Sequence, residues 1–323
     1  MKEKIVPIGG GTGGFVVNSG LRWHDVSVSS VANVFDNGGG SGMLRNDLGV
    51  LPPGDLRQQI LALSKSDDER TQRRRRWFNS RIREGHMKGQ CYGNIFLSGF
   101  EWETGSIEEA IEEAREFLRV DAEVIPVTLD KAHLLAKFKD GREIFGEKEL
   151  QMAELSLFSS LELSPKVKVN PRAVQAVHEA DKIVICPGNF YCSIIPVLLP
   201  LQKAISESSA KVIFVCNLMT KRGHTDGMTV LDFVVALEKI LGKGVIHSVI
   251  YNIEYPPEEF IATYREEGGF FVQTGDLAKR PDINFVGRDL VSKRIPKEKE
   301  GDPLQRTLVR HDGEKLARAI LEL

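Results

Sequence analysis

The feature that most limits the fold is a glycine-rich turn directly after the first apolar run. The residues KIVPI precede GGGTGG, so Gly9, Gly11 and Gly14 satisfy the pattern G-x-G-x-x-G. A phosphate approaches main-chain amides closely only where side chains are absent, and the start of the following helix adds partial positive charge. The pattern therefore predicts a phosphate-binding loop at the start of an α/β unit, with a tight structural turn as the alternative.

Two later segments repeat the same order of a β-branched run, a turn and a helical stretch. They are KIVIC before PGNFY and KVIFVC before NLMT. Runs of Val and Ile without polar alternation are typical of strands covered on both faces, and strands that alternate with helices favour a parallel sheet. We predict an α/β protein with a Rossmann-like, mostly parallel core, extending over residues 1–323 as a single domain.

Residues 121–150 depart from that order. AEVIPVT, HLLAKFK and REIFGE have the length of short strands, and Asp140-Gly141 has the composition of a hairpin turn. We expect a small antiparallel β excursion, inserted as a subdomain at about residues 120–165. The charged, proline-bearing segment 292–303 is interpreted as a surface loop.

Composition and charge exclude several classes of protein. A formal net charge of -2 gives no general attraction to nucleic acid or to an anionic membrane. The four cysteines form no C-x-x-C pair, which argues against a disulfide framework or a zinc site and favours a reducing, cytoplasmic location. The chain shows no signal-peptide pattern, and Pro196 and Pro200 interrupt its longest apolar stretch, so we expect no membrane insertion.

A second glycine cluster follows the next predicted strand and begins with Asp36, Asn37 and Gly38. An acidic residue about 20 positions past the first glycine loop suits a ribose hydroxyl. Asp55 is a second carboxylate for the same cleft, and two oxygen ligands suit a Mg²⁺ ion that keeps some of its waters. Asp55 suits the cap of the helix DLRQQILAL equally well, so both interpretations stay open.

Two further polar loops follow the other predicted strands. Their candidate ligand-binding residues are Gly188, Asn189, Tyr191, Asn217, Thr225 and Asp226. Because the carboxyl ends of parallel strands meet at one edge of a sheet, these loops are expected to converge on one crevice. Ordinary turn chemistry is the alternative for each loop.

A basic run at residues 73–76 precedes Trp77. It suits either a phosphate contact or a solvated helix face, and the acidic residues just before it favour the solvated face. The histidines show no metal-binding spacing, and the chain has no P-loop lysine, no G-x-S-x-G and no H-E-x-x-H. Nucleophilic hydrolysis is therefore unsupported.

Six segments together resemble a known family of bacterial proteins. They are, in chain order, GGGTG, DNGGGSGMLRNDLGVLPPGDLR, GNIFL, NPRAVQAVHEADKIVICPGNFYCSIIPVLL, NLMTKRGHTDG and VRHDGEKLARAIL. This combination spans nearly the whole chain and is similar to the gluconeogenesis factors of the CofD-like superfamily, which includes 2-phospho-L-lactate transferase. The resemblance implies a Rossmann-like three-layer core, UDP-sugar binding, and a role in cell shape and wall synthesis on gluconeogenic carbon.

The resemblance also implies site residues. Carried over by position, they are Gly10, Gly11, Thr12 and Gly13 for phosphate, Asp36, Asn37, Gly188 and Asn189 for the nucleotide-sugar cleft, and Tyr264 and Arg310 in the C-terminal segments. A tyrosine face suits stacking on uracil, and a guanidinium suits pairing with a diphosphate. The chain departs from the usual family sequence in three places: Asn37 stands where a second aspartate is usual, Gly40 where serine is usual, and PGNFYC where PGS-L-Y-T is usual.

Three functions remain open from the sequence. The first is a regulator that binds a nucleotide-sugar such as UDP-N-acetylglucosamine without catalysis. The second is a Mg²⁺-dependent transferase like the phospholactyl transferases, which use a guanosine diphosphate carrier and for which Asp36 and Asp55 would hold the metal. The third is an NAD(P)-binding oxidoreductase, suggested by G-x-G-x-x-G alone. A nucleoside diphosphate is a further candidate ligand, and a homodimer stays open.

Overall fold

The computed structural model describes residues 2–65, 67–155, 158–266, 268–293 and 309–323. Strands and helices alternate through most of this part of the chain. In chain order the strands are β1 (Glu3–Gly9), β2 (Val26–Ala32), β3 (Glu123–Pro126), β4 (His133–Phe138), β5 (Glu143–Phe145), β6 (Phe158–Ser164), β7 (Lys182–Ile185), β8 (Lys211–Val215), β9 (Ser248–Asn252) and β10 (Asn284–Arg288).

Helices connect the strands of the large sheet and flank it. In chain order the α-helices are α1 (Gly11–Leu21), α2 (Gly39–Leu48), α3 (Gly54–Leu63), α4 (Glu69–Phe78), α5 (Tyr92–Thr104), α6 (Ile107–Leu118), α7 (Glu147–Gln151), α8 (Pro171–Glu179), α9 (Ile195–Leu198), α10 (Gln202–Glu207), α11 (Val230–Leu241), α12 (Glu258–Glu266) and α13 (Gly313–Leu321). A π-helical turn spans Phe190–Ile194 and a 3-10 turn spans Leu277–Lys279.

The large sheet has seven strands in the order β10-β9-β8-β7-β1-β2-β3. Each of its neighbouring pairs is parallel. The inner strands are apolar on both faces because helices cover both, and every residue of β7 is buried. The predicted α/β fold with a mostly parallel sheet is therefore confirmed.

The order of the strands reverses at β1. The chain runs outward from β1 through β2 to β3, returns to β7 on the other side of β1, and then runs outward again through β8 and β9 to β10. At such a switch point the connections after the two central strands leave in opposite directions. A crevice is therefore expected above the carboxyl ends of β1 and β7.

The antiparallel excursion is confirmed as a three-stranded sheet in the order β5-β4-β6. The predicted hairpin turn at Asp140-Gly141 joins β4 to β5, and the Gly141 amide donates to the Phe138 carbonyl at 3.0 Å. The prediction of which strands form this small sheet was wrong in one respect. The segment AEVIPVT forms β3, which belongs to the large sheet. Three consecutive residues of β3 are buried, which suits a strand covered on both faces, whereas burial alternates along β4.

All four cysteines are free and buried, in agreement with the expected lack of a disulfide framework. Among the described helices, none combines the length and the apolar character needed to cross a membrane. The predicted surface loop at 292–303 lies outside the described residues from position 294 onward. The division of the chain into one domain with an inserted subdomain stays a prediction.

Gly20 provides a test of how α1 packs on α13. A Cβ atom at this position would lie 2.0 Å from the carbonyl oxygen of Gly313 and 2.9 Å from the Cβ of Ala317. We expect Gly20→Ala to lower the free energy of unfolding by roughly 1 to 3 kcal/mol, because backbone has to move to relieve the overlap. Urea denaturation of the variant and the wild type measures this difference.

The matched control is Gly99→Ala in α5. Gly99 is exposed, and a Cβ atom there would meet nothing within 4 Å. Alanine is the better helix former by about 1 kcal/mol, so this variant is expected to be as stable as the wild type or slightly more stable. Equal effects of the two substitutions would contradict the close packing of α1 on α13.

Candidate functional site

The first glycine loop connects β1 to α1 and leaves main-chain donors open. The Gly14 amide donates to the Gly10 carbonyl at 3.1 Å, which begins the helix. The Gly11 amide donates to the carboxylate of Asp55. Among the described residues, the amides of Thr12 and Gly13 have no protein acceptor, as is usual in the first turn of a helix. Two amides therefore remain for a ligand.

Buried side chains hold this loop from behind. Gln59 on α3 donates through Nε2 to the carbonyl of Gly9 at 2.8 Å. Ser30 on β2 donates to Oε1 of Gln59, and Asn18 on α1 donates to Ser30 at 2.7 Å. This chain of bonds joins three elements to the last residue of β1, so the position of the glycine loop is fixed by the core and not by the loop alone.

The loop after β7 lies against the first glycine loop. A Cβ atom at Gly13 would come within 1.6 Å of the Pro187 carbonyl oxygen, so only glycine allows this approach. Asn217, after β8, accepts from the Gly188 amide at 3.0 Å and donates to the Gly188 carbonyl at 2.8 Å. The loops after three adjacent strands are thus held together at the switch point of the sheet.

A cleft of about 700 Å³ opens between these loops, α12 and the segment before α13. Its size is in the range of small-molecule sites. Nine of the residues predicted from the sequence line it: Gly10, Gly11, Thr12, Gly13, Gly188, Asn189, Asn217, Tyr264 and Arg310. The convergence of loops that was inferred from strand order is therefore present in the structure.

The lining of the cleft is cationic. Lys221, Arg222 and Arg310 contribute side chains, and among the described residues no carboxylate lines it. Burial lowers the pKa of Lys221, while the negative charge of Glu147 nearby opposes that shift. Together with the open amides of the glycine loop, these cations make the cleft a site for an anion.

Three predicted residues lie at the second glycine cluster, outside this lining. The carboxylate of Asp36 accepts from the Gly38 amide at 2.7 Å. The Asn37 side chain is used within the protein, since it donates to Glu149 at 2.9 Å and accepts from the Lys148 amide at 2.7 Å. Asn37 therefore connects the second glycine cluster to α7.

The other three predicted residues also lie outside the cleft lining. Tyr191 packs against Phe158 and Phe190, and burial raises the pKa of its phenol. Thr225 is buried and accepts from the Lys221 amide at 2.8 Å, so it shapes the turn that carries Lys221. Asp226 is exposed on the same turn.

Asp36, Asp55 and Glu147 form a group of interacting carboxyls beside the glycine loop. Removal from water raises the pKa of Asp55 to about 7, and the charge of Asp36 adds to this effect. Burial and the charge of Asp36 likewise raise the pKa of Glu147 to about 8. Burial also raises the pKa of Asp36. Protons are therefore held here near neutral pH.

The structure does not support the helix-cap role of Asp55, and the role of metal ligand stays a prediction. The residue before α3 is Pro53, and no side chain caps that helix. The Asp55 carboxylate accepts instead from the Gly11 amide and from Nδ2 of Asn33, the latter at 3.2 Å. Asp55 thus supports the glycine loop. Among the described residues, no group of three or more His, Cys, Asp or Glu side chains is arranged to hold a metal ion.

Several cleft residues were missed by sequence reasoning. Lys221 and Arg222 belong to the motif NLMTKRGHTDG, and two adjacent cations directly after a strand-end turn were the signal available. Gln151 reaches the cleft from α7, and Glu147 reaches Asp36 from the same helix. The positions of Gln151 and Glu147 depend on how the inserted sheet packs, and no local sequence pattern predicts them.

Fold and site together define an α/β protein with a cationic, amide-lined cleft at the switch point of a parallel sheet. A family model described as 2-phospho-L-lactate transferase CofD matches residues 5–291. The chain belongs to the CofD family.

Relatives within the family carry a consistent name. Proteins named "Putative gluconeogenesis factor" from Thermoanaerobacterium thermosulfurigenes and Thermotoga maritima are 36% and 35% identical to this chain. The alignments cover 99% and 98% of the chain and 96% and 98% of those proteins. The gluconeogenesis factor of Halalkalibacterium halodurans is 31% identical, over 99% of the chain and 96% of its own length. The crystal structure of a UPF0052 family member from Bacillus halodurans superposes with a TM-score of 0.89 at 30% identity, over 99% of both chains.

The raised pKa of Asp55 gives a testable pH dependence. The folded chain binds this proton more tightly than the unfolded chain, so the wild type loses stability as the pH rises from about 4 toward 7. Asp55→Asn has no such proton and removes that loss. Between pH 4 and 7 its free energy of unfolding is expected to rise by roughly 2 to 4 kcal/mol relative to that of the wild type. This range follows from about 1.4 kcal/mol per pKa unit, reduced for partial solvent access. Urea denaturation at a series of pH values measures the gain.

Asp47→Asn, at an exposed position on α2, is the control. Its stability curve should run parallel to that of the wild type between pH 4 and 8. A stability difference between Asp55→Asn and the wild type that does not change over this interval would contradict the protonation of Asp55 in the folded chain.

Proposed function

We propose that the cleft binds a nucleoside diphosphate-sugar of the UDP-N-acetylglucosamine type and that the protein acts as a binding regulator. The observation that carries this proposal is the meeting of two open helix-start amides with three cationic side chains, in a lining where the described residues contribute no carboxylate. A diphosphate is the group that such a lining favours. The biological setting implied by the gluconeogenesis factors is cell shape and wall synthesis on gluconeogenic carbon.

The polar groups of the cleft suit the remainder of such a ligand. Oδ1 of Asn189 is buried and has no hydrogen-bond partner among the described residues. A buried acceptor of this kind is normally satisfied, and a sugar hydroxyl would satisfy it. Tyr264 also lines the cleft, and its ring suits stacking against a base. The proposal thus assigns separate groups of the lining to phosphate, sugar and base.

The placement of the carboxylates favours binding over catalysis. Asp36 and Asp55 lie outside the cleft lining, and the Asp55 carboxylate is already hydrogen-bonded to the Gly11 amide. General acid-base catalysis needs such groups within hydrogen-bond reach of the reacting atoms. A regulator that senses the ligand needs only the residues that bind it.

A transferase is the second candidate, favoured by the interacting carboxyls. A Mg²⁺ ion commonly takes one or two carboxylates together with water and ligand phosphates. Asp36 and Asp55 fit that pattern, because both are partly accessible and burial raises the pKa of each, so a cation there would relieve the cost of their ionisation. These two residues would hold the metal, which would neutralise a diphosphate leaving group.

A turnover assay separates the two functions. The transferase function predicts Mg²⁺-dependent transfer from a guanosine diphosphate-linked donor, lost in the double variant Asp36→Asn with Asp55→Asn. Undiminished transfer in that variant would exclude these carboxyls from the reaction. Binding of the nucleotide-sugar without any transfer, with or without Mg²⁺, is the result expected for the regulator.

A pair of substitutions at Gly11 tests binding in the cleft. Gly11 has a φ of 45°, a region that Asn and Asp adopt more readily than other side chains, and an added Cβ would only touch Oδ1 of Asp55 at 3.5 Å. Gly11→Asn and Gly11→Asp therefore introduce the same shape and differ in charge. We expect the Gly11→Asp variant to bind UDP-N-acetylglucosamine at least about tenfold more weakly than the Gly11→Asn variant, because its carboxylate repels the diphosphate.

Isothermal titration calorimetry of both variants and the wild type measures this ratio, and circular dichroism checks that both variants are folded. NADH is titrated in parallel, since an oxidoreductase would prefer it. No heat with the nucleotide-sugar in the wild type, or equal affinities of the two Gly11 variants, would refute the proposed site.

A further inference from the structure

A second cavity lies away from the cleft, against the end of α3 and the last turn of α4. Its volume is about 470 Å³, and it shares no lining residue with the cleft. Its polar lining consists of Arg75, Arg76, Asn79, Ser80, Arg81 and Arg83. Four arginines thus line one concave surface, and within the described chain no acidic residue does.

Positive charge extends beneath this cavity into the protein. Arg75 is half-buried and donates to the Ser64 carbonyl at 2.8 Å. Arg22 donates to the same carbonyl at 3.0 Å, and burial together with the charge of Arg75 lowers the pKa of Arg22 to about 10. Asp67 offsets part of this repulsion. Two close cations with reduced hydration leave a positive potential that an anion in the cavity would lower.

The donors of the cavity come from two segments that the fold brings together. Arg75 and Arg76 are on the last turn of α4, whereas Arg81 and Arg83 lie beyond its end. Arg81 is fixed by a bond to the Gly89 carbonyl at 2.7 Å. Guanidinium groups bind phosphate oxygens in pairs of parallel hydrogen bonds, so several of them around one cavity suit several phosphates.

Asn79 adds a neutral donor of fixed orientation. Its Oδ1 accepts from Arg57 at 2.9 Å, and Arg57 is itself held by Asn94 at 2.8 Å. With the oxygen turned to Arg57, the amide nitrogen is the group that Asn79 offers to the cavity. Arg57 and Asp55 are both on α3, so this helix joins the back of the glycine loop to the second cavity.

Helix electrostatics alone do not explain the cluster. Arginines in the last turn of a helix stabilise its negative end, which accounts for Arg75 and Arg76. The same argument does not reach Arg81 and Arg83, which follow the helix. The solvated helix face expected from the sequence describes Arg73, which is exposed and does not line the cavity.

We propose that this arginine pocket, defined by Arg75, Arg76, Arg81 and Arg83, is a second anion site that binds a small molecule with two or more phosphate groups. The concave shape and the volume favour a small molecule over a nucleic acid strand, which is bound along an extended groove. The formal net charge of -2 leaves no general attraction for polyanions elsewhere on the chain, which restricts binding to local sites.

Calorimetry with inorganic tripolyphosphate tests the pocket at about 0.15 M salt, where long-range attraction is screened. The test variant combines Arg76→Gln with Arg83→Gln, two exposed residues of the lining. The matched control combines Arg70→Gln with Arg73→Gln, which removes the same charge from exposed positions of α4 outside the pocket. Both variants are made in a Gly11→Asp background, so that the cleft does not contribute to binding. We expect the affinity to fall at least about tenfold in the test variant and less than about twofold in the control.

The same titration in Gly11→Asp separates this site from the cleft. Binding that persists in Gly11→Asp, and is lost when Arg76→Gln and Arg83→Gln are added to that variant, supports the pocket, whatever the fate of the nucleotide-sugar. No binding by the wild type, equal loss in the test and control variants, or loss in Gly11→Asp alone would overturn it. Tight binding of an oligothymidine that tripolyphosphate fails to displace would also overturn the small-molecule assignment.

Discussion

The close approach of Gly13 to the Pro187 carbonyl is the contact on which the site depends. It joins the start of α1 to the loop after β7, and the paired bonds between Asn217 and Gly188 extend this contact to the loop after β8. A parallel sheet brings three carboxyl strand ends to one edge, but it does not by itself set the distance between their loops. Because glycine permits main chain to meet main chain there, the helix start and the cations of the β8 loop can reach one ligand.

Cations and carboxyls lie close together around the glycine loop. Lys221, Arg222 and Arg310 line the cleft, while Asp36, Asp55 and Glu147 lie outside its lining. Asp55 takes the Gly11 amide, so this carboxyl and an anionic ligand would use neighbouring amides of the same helix start. Protonation of Asp55 weakens its hydrogen bond with the Gly11 amide and also removes a negative charge from beside the glycine loop. Proton binding by the carboxyls and anion binding in the cleft therefore favour each other.

The sequence predicts those parts of the site that depend on local pattern. G-x-G-x-x-G after a strand is sufficient to place residues 10–13, because helix starts and glycine turns are fixed by neighbours in the chain. The strand-end loops could be placed at the same edge once the sheet was taken as parallel. The family resemblance then added Tyr264 and Arg310, which line the cleft although no local rule identifies them.

The remainder depends on contacts between distant segments, which single-residue patterns do not contain. β3 belongs to the large sheet because Val124 and Ile125 are covered on both faces, a fact set by β2 and by the helices above it. Asn37 bonds to Lys148 and Glu149 of α7, which lie 111 and 112 residues further along the chain. The role of its amide therefore cannot be assigned from the glycine cluster alone.

The inserted sheet also contributes to the cleft through a contact between distant segments. It carries α7, whose Gln151 lines the cleft and accepts through its carbonyl from Nζ of Lys221 at 3.1 Å. A diphosphate that takes Lys221 as a partner competes with this carbonyl, and α7 is also bonded to Asn37 at the second glycine cluster. Occupancy of the cleft is thus linked to the position of an element outside the sheet. Under the proposed regulator function, this link would let the bound state change a surface that another molecule can meet.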